Sequence, residues 1–261
     1  MPSIRDIIDT IEACAPLALQ ETWDNSGVQV GDVDMPCTGV MLAVDHSPEV
    51  VAEAVAAGCN LVVSHHPIIF KPLRQLVGKT PAEKTVIAAI RANVTLYSAH
   101  TSMDNAPGGV SFEMARRLGL DDITVLSPAG GETGAGVVGK LRGGPVNAAR
   151  FVAQVKECFD APVARCSIFG NDTTVQRVAL CGGAGGSFIN DAIAAKADAY
   201  ITADIRYHDF QERHNDILIV DLGHFETEEC TKSIFYRLVS EKFPNFAVRY
   251  SKSEKNTILY L

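Results

Sequence analysis

Residues 61–70 constrain this chain more than any other stretch. Leu61, Val62 and Val63 form an apolar, β-branched run that predicts a buried strand, and His65, His66 and Pro67 end it abruptly. Neighbouring residues of a strand point to opposite faces, so two adjacent imidazoles can serve one site only where the chain leaves the sheet, and Pro67 marks that exit. Open α/β sheets bind ligands at the carboxyl ends of their strands, and histidine is the commonest metal-binding side chain. A pair of metal ligands is therefore the working reading, set against a hydrogen-bonded histidine pair in a loop.

The chain has 261 residues, 47% hydrophobic and 21% charged, enough for one large α/β domain or two of modest size and unlike a disordered segment. A net charge of −8 and the lack of a basic stripe argue against nucleic acid as a partner. Cys14, Cys37, Cys59, Cys158, Cys166, Cys181 and Cys230 form no CxxC pair, and most sit in apolar patterns, as core residues of a reducing compartment do. The N-terminal segment carries acids within an amphipathic period, and no run of about 18 apolar residues occurs. Neither export nor a membrane span is expected, and the cytoplasm is the expected address.

Ile4, Ile7, Ile8 and Ile11 at helical spacing, behind Ser3 as N-cap, predict an opening amphipathic helix. A connector follows, in which Trp23 is read as a packing anchor before a ligand platform. A strand over 40–44, a helix from Ser47 through Ala57, the strand ending at His65, a capping box at Thr80 and Glu83, and a strand over 94–97 alternate as a largely parallel sheet with helices on both faces requires. Residues 128–136, five of nine being Gly or Pro, suggest a boundary into a second α/β unit. That unit is expected to hold strands over 137–141 and 163–169, a helix over 147–159, a strand from Val178 into a Gly182–Gly186 turn, a helix to Ala195, and strands over 199–202 and 217–220. A long helix from His224 to Lys242 and a last strand over 246–250 close the chain. Strand, helix and strand recur about 138 residues apart, with Asp204 where His65 falls in the first copy, which suggests an internal duplication. The organisation expected is a first domain over 1–127, completed by 224–261, and a second over 128–223, with a metal site between them.

His224 and Glu228 stand four apart at a helix start, a usual way to present two metal ligands, although such pairs also occur on solvated faces. With His65 and His66, and with His100 and Asp104, three strand exits offer imidazole or carboxylate. Parallel strands bring their carboxyl ends to one edge, and five to six ligands exceed what one tetrahedral ion needs, so two metals are expected. Mixed nitrogen and oxygen donors suit Zn, Fe or Mn better than Mg or Ca. His100 is read as a partner supporting a ligand or as a proton shuttle. His46 is placed near the cleft, and His208 and His214 on the surface. The Gly182–Gly186 run offers either an anion cradle or a plain tight turn.

These motifs together resemble a known family. Trp23 to Gly31, Ser64 to Lys71, His100 to Gly109, Cys181 to Gly185 and Gly223 to Glu228 run in order along nearly the whole chain, as in the NGG-interacting-factor-three-like family of dinuclear-metal-centre hexameric proteins, also labelled GTP cyclohydrolase type 2 homologues. The resemblance implies two α/β/α layered domains and a two-metal site held by His65, His66, Asp104, His224 and Glu228. It also implies a toroidal homohexamer, here in the compact form without an inserted domain. The cyclohydrolase label implies water attack on the guanine ring of GTP, whereas other members are linked to transcription factors. The function expected is a metal-dependent hydrolase that turns metal-bound hydroxide on a nucleotide or similar small molecule. His100 or Glu226 would move protons, and Lys71 or Arg74 would meet phosphate. The alternative is a non-catalytic metal-binding adaptor or metal-handling protein.

Overall fold

A computed structural model describes residues 1–261. The chain begins with α1 (Ile4–Cys14), β1 (Gly27–Val30), β2 (Val40–Ala43), α2 (Pro48–Ala56), β3 (Leu61–Ser64), α3 (Pro81–Ala92), β4 (Thr95–Ser98) and the single turn α4 (Thr101–Asp104). It continues with α5 (Val110–Leu118), β5 (Leu120–Gly130), β6 (Thr133–Leu141), β7 (Val146–Asn147), α6 (Ala148–Cys158), β8 (Arg165–Cys166), β9 (Thr174–Val175) and β10 (Arg177–Leu180). Then follow α7 (Ile189–Ala194), β11 (Ala199–Thr202), α8 (Tyr207–Arg213), β12 (Leu218–Asp221), α9 (His224–Glu228), α10 (Thr231–Lys242) and β13 (Val248–Tyr250). Two compact units result: residues Met1–Ala106 with Thr231–Thr257, and residues Pro107–Cys230 with Ile258–Leu261.

In the first unit the strand order is β1-β4-β3-β2-β13. The pairs β13·β2, β2·β3 and β3·β4 are parallel, and β1 closes the edge antiparallel to β4. Met41, Ala43, Val62 and Leu96 turn to one face and pack with Val50, Val51 and Ala54 of α2 and Ala89 of α3. Alternate residues turn to the opposite face. There α10 lies on β2 and β13 and packs with α1, which buries Ile4, Ile7, Ile8 and Ile11. The sheet is thus covered on both sides, as an apolar run with no polar alternation requires.

In the second unit the order is β5-β6-β10-β11-β12-β8, with β10, β11 and β12 parallel at the centre. The β5–β6 hairpin and β8 are antiparallel additions. Ala179, Tyr200 and Ile219 pack with Ile189 and Ala192 of α7 on one face, and α5 lies on β6 and β10 on the other. The layered α/β class expected from the alternation is what forms.

Several local expectations are corrected. The glycine-rich stretch 128–136 runs through the β5–β6 hairpin inside the second unit. The helix expected from His224 to Lys242 is two helices, broken at Glu229 and Cys230 with neither glycine nor proline to mark the break. The strand expected over 163–169 shrinks to Arg165 and Cys166, while β1 forms where only a connector was expected. No disulfide joins the seven cysteines, and no helix is long and apolar enough to cross a membrane.

The returning C-terminal segment is tied to the rest of the first unit through the Glu53 carboxylate. Glu53 of α2 accepts hydrogen bonds from Ser251 Oγ (2.6 Å), Ser253 Oγ (2.6 Å) and the Lys252 N–H (2.9 Å). Burial works against this carboxylate, but the bonds from Ser251 and Ser253 hold it down at about 2. Because the folded value lies below the unfolded one, the stabilisation is present above pH 4.5 and is lost as pH falls towards 2. Glu53→Gln is expected to lower the urea midpoint at pH 7 and to flatten the fall in stability between pH 4.5 and 2. Unchanged midpoints across that range would refute the tie.

Candidate metal centre

In the first unit the histidines follow directly from how three strands end. The N–H groups of both His65 (3.1 Å) and His66 (2.9 Å) donate to the Val44 carbonyl, which bends the chain off β3 immediately after Ser64. Ser64 Oγ and Ser98 Oγ both donate to the His66 carbonyl, at 2.7 and 3.1 Å, and fix the peptide that carries the second ring. His46 stands behind this arrangement with Nε2 3.1 Å from Ser98 Oγ. Burial pulls its imidazole down to about 3, so it is neutral near pH 7 and supports the strand ends from within the core.

Each imidazole then has its Nδ1 against an oxygen. His65 Nδ1 lies 3.0 Å from the Ala99 carbonyl, His66 Nδ1 2.9 Å from Asp45 Oδ1, and His100 Nδ1 2.7 Å from Asp24 Oδ1. A carbonyl oxygen only accepts, as does an ionised carboxylate, so Nδ1–H donates in all three and the neutral ring carries its lone pair on Nε2. The three ring centroids are 4.9, 5.2 and 5.4 Å apart. One ring nitrogen from each falls within 4.8 Å of the other two, a spacing that suits one shared cation. Asp104, at the end of α4, places Oδ1 3.7 Å from His65 Nε2. That is too long for a good hydrogen bond but close to the roughly 3.4 Å between two donors that each stand about 2.1 Å from one ion.

Asp24 organises the third exit. Its carboxylate also accepts from the Thr101 N–H (3.0 Å), Thr101 Oγ1 (2.6 Å) and Ser26 Oγ (2.9 Å). Burial raises its carboxyl, but the hydrogen bonds from His100 and Thr101 outweigh that and hold it well below the usual carboxylate range. Asp45 is positioned in turn by its own N–H, which donates to Glu254 at 2.8 Å, and Glu254 pairs with Lys232 at 2.9 Å.

The second unit repeats the device once. Asp221, at the end of β12, accepts from the Gly223 N–H (3.1 Å) and the Ile205 N–H (2.9 Å), holding together the two loops that carry His224 and Asp204. His224 Nδ1 stands 2.7 Å from Asp204 Oδ2, and its Nε2 stands 3.0 Å from Glu228 Oε2. A neutral ring that donates from Nδ1 would aim a lone pair at a carboxylate oxygen there, so a cation, either a proton or a metal, belongs at that spot.

The glycine run of this unit is a close approach and not an anion cradle. Gly183 N–H donates to Thr227 Oγ1 (3.0 Å) and Gly185 N–H to Thr202 Oγ1 (2.9 Å), so these donors are committed within the unit. Gly183 has φ +62°, and a Cβ there would meet Glu228 Oε1 and stand 3.3 Å from His224 Nε2. Only glycine lets the turn pass the paired side chains without displacing them.

His65, His66, His100 and Asp104 are brought together in the first unit, and His224 and Glu228 in the second. Glu226 is buried two positions from both His224 and Glu228, about 200° around α9, and so leaves that helix on its other side. His208 and His214 are exposed, as are Lys71 and Arg74. Trp23 is 58% exposed, which corrects the reading of it as a packing anchor. Asp24, Asp45 and Asp204 were missed by sequence reasoning. Asp45 and Asp204 each stand two residues beyond a strand, and that position beside a neighbouring histidine exit was the available signal.

Layered α/β units whose strand exits carry carboxylate- or carbonyl-backed histidines define a class of protein whose side-chain clusters could hold a metal ion. A model of the Duf34/NIF3 (NGG1p interacting factor 3) family matches residues 2–257, and the chain belongs to that family. It is 34% identical over 224 residues to a "GTP cyclohydrolase 1 type 2 homolog" of Streptococcus pneumoniae, covering 84% of each chain. A protein of the same name from Lactococcus lactis is 33% identical over 263 residues, covering 98% of each. Among solved structures, a Bacillus cereus protein related to NIF3 shares the fold with a TM-score of 0.91 at 23% identity, over 100% of this chain and 99% of that one. Reduced HcgD from Methanocaldococcus jannaschii shares it at 0.79 and 24%, over 96% and 98%.

Removing an oxygen behind a ligand should weaken metal binding without unfolding the chain. Asp45→Ala and Asp204→Ala are each expected to weaken affinity for a divalent cation about 10- to 100-fold in a competition titration with a chromophoric chelator. Gly183→Ala is expected to do the same by displacing Glu228. Wild-type affinity in all three variants would contradict the assignment.

Proposed function

We propose that this chain is a metal-dependent hydrolase in which His65, His66, Asp104, His224 and Glu228 together hold two divalent cations, Zn, Fe or Mn, and that it acts on a nucleotide or similar small molecule. The observation that carries the reading is the shared orientation of the imidazoles of His65, His66 and His224, each with Nδ1 against an oxygen acceptor, so that Nε2 is the nitrogen each would offer to a cation. Core histidines with a purely structural role have no reason to share one tautomer, whereas metal ligands do. Family membership and relatives named as GTP cyclohydrolase homologues support the choice of reaction class.

The donor set fits the group. Imidazole with carboxylate suits borderline first-row cations, and no cysteine stands beside the histidines. A divalent cation held there supplies Lewis acidity and lowers the pKa of a water ligand to about 7. The chain's own contribution is orientation and proton management. Asp24 stays ionised far below neutral pH, so its bond to His100 Nδ1–H stabilises the imidazolium that forms when Nε2 takes a proton. His100 is therefore the group assigned to hold and move a proton. Glu226, on the far side of α9 from His224, is the weaker candidate for that role. Lys71 and Arg74, exposed on the loop that leaves the first histidine exit, are assigned to a phosphate. A cytoplasmic homohexamer completes the proposal, to be checked by native mass.

Elemental analysis of the purified protein is expected to give two cations per chain, and His66→Ala to give fewer than two with an unchanged circular dichroism spectrum. Metal-loaded wild type, screened against nucleotides and phosphoesters, should show saturable turnover that His66→Ala lacks. Two retained cations in His66→Ala would overturn the ligand assignment. A folded, metal-loaded protein inert across the whole panel would replace the hydrolase by the metal-handling reading.

A further inference from the structure

Trp23 and Phe70 are 58% and 46% exposed, an unusual state for two large aromatic rings placed side by side. Their centroids are 5.9 Å apart with the planes tilted by 59°. Each is also nearly perpendicular to the His100 ring, Trp23 at 6.0 Å and 73°, Phe70 at 6.2 Å and 72°. The two rings therefore flank the imidazole that is packed against His65 and His66, and about half of each side chain stays exposed.

This exposure is built in. The segments that carry the rings are cross-tied by Asn25 and Gln29. Asn25 Nδ2 donates to the Ile69 carbonyl (2.7 Å), the Ile69 N–H donates to Gln29 Oε1 (3.2 Å), and Gln29 Nε2 donates back to the Asn25 carbonyl (2.7 Å). Asp24, next to Trp23, is fixed by its bonds to His100 and Thr101. The backbone is thus held on both sides of the pair, and the ordering that a stacked ligand would require is already in place. Two pre-positioned, half-exposed aromatic side chains next to imidazole nitrogens suit a flat, π-rich ring better than a sugar, a lipid chain or a free phosphate.

We infer that Trp23 and Phe70 form the stacking platform of the site, and that the substrate class is a planar nitrogen heteroaromatic, the base of a mononucleoside or mononucleotide, laid with one edge towards His100. The inference rests on reading the histidine cluster as the head of a catalytic site. It adds which part of the substrate is recognised and by which side chains. Trp23 would be a binding residue and Phe70 its partner, with neither taking part in bond making.

Trp23 is the only tryptophan of the chain, so fluorescence excited at the red edge of the absorption band, where tyrosine does not absorb, reports on the platform alone. The metal-loaded full chain is titrated with guanosine and adenosine, with ribose 5-phosphate as the control that lacks a base. Saturable quenching by the nucleosides and none by ribose 5-phosphate is expected. Phe70→Ala should bind guanosine about tenfold more weakly by the same signal, and Trp23→Leu about tenfold more weakly by equilibrium dialysis, as the loss of one stacking face implies. Both variants should keep the wild-type metal content and circular dichroism spectrum, which separates loss of the platform from loss of the centre. Absence of saturable quenching, equal quenching by ribose 5-phosphate, or tighter binding of a single-stranded oligonucleotide than of any nucleoside would overturn the inference. Saturable quenching without turnover on any substrate would keep the platform and remove the hydrolase reading. Turnover with no quenching would do the reverse.

Discussion

The hydrogen bond from an imidazole Nδ1–H to a fixed oxygen is the interaction on which the candidate site depends. It decides which nitrogen carries the lone pair, holds the ring plane, and makes the ring a better donor. Three acceptors are aspartates, 24, 45 and 204, and the fourth is the carbonyl of Ala99. All four lie on loops just beyond strands or on the connector before β1, so the site is fixed by the way strands end. A strand interior points successive residues to opposite faces and cannot bring His65 and His66 to one side. The Val44 carbonyl, accepting from both of their N–H groups, performs the turn that a sheet forbids.

Polar side chains tether those strand ends in layers. Ser64, Ser98 and a neutral His46 support the His66 peptide from inside the core. Glu254, paired with Lys232, holds the Asp45 backbone, so the C-terminal segment that adds β13 to the first sheet also steadies a group behind a ligand. In the second unit Asp221 serves the loops of Asp204 and His224, and the lack of a side chain at Gly183 leaves room for Glu228. Stability and site geometry are thus written in the same contacts, and a substitution well away from the imidazoles can reach them.

The layered α/β class was legible because the period of the pattern changes cleanly between β-branched runs and capped amphipathic segments, as at Ser47, Thr80 and the isoleucines of α1. His65, His66, Asp104, His224 and Glu228 stood out as candidates because imidazole and carboxylate at strand exits are chemically conspicuous. Their aspartate partners were not, since an aspartate after a strand is also an ordinary turn residue, and only the tertiary placement of a histidine beside it tells the two apart. Trp23 was misread because a lone tryptophan near turn residues usually anchors a core, and nothing local says that it stays half-exposed. Glu226 was assigned to proton movement from its place between His224 and Glu228, although two positions on a helix turn it away from both. The break between α9 and α10 left no mark in the residues at all.

The most direct measurement of the central claim is the tautomeric state of these rings. Histidine side-chain nitrogen NMR on the metal-free protein at pH 7.5, with single substitutions for assignment, is predicted to show His65, His66 and His100 protonated at Nδ1 with an unprotonated Nε2. The Nε2 resonances of His65 and His66 should then shift strongly when a diamagnetic cation such as Zn is added. Rings protonated at Nε2, or Nε2 resonances unmoved by added Zn, would contradict the account at its root.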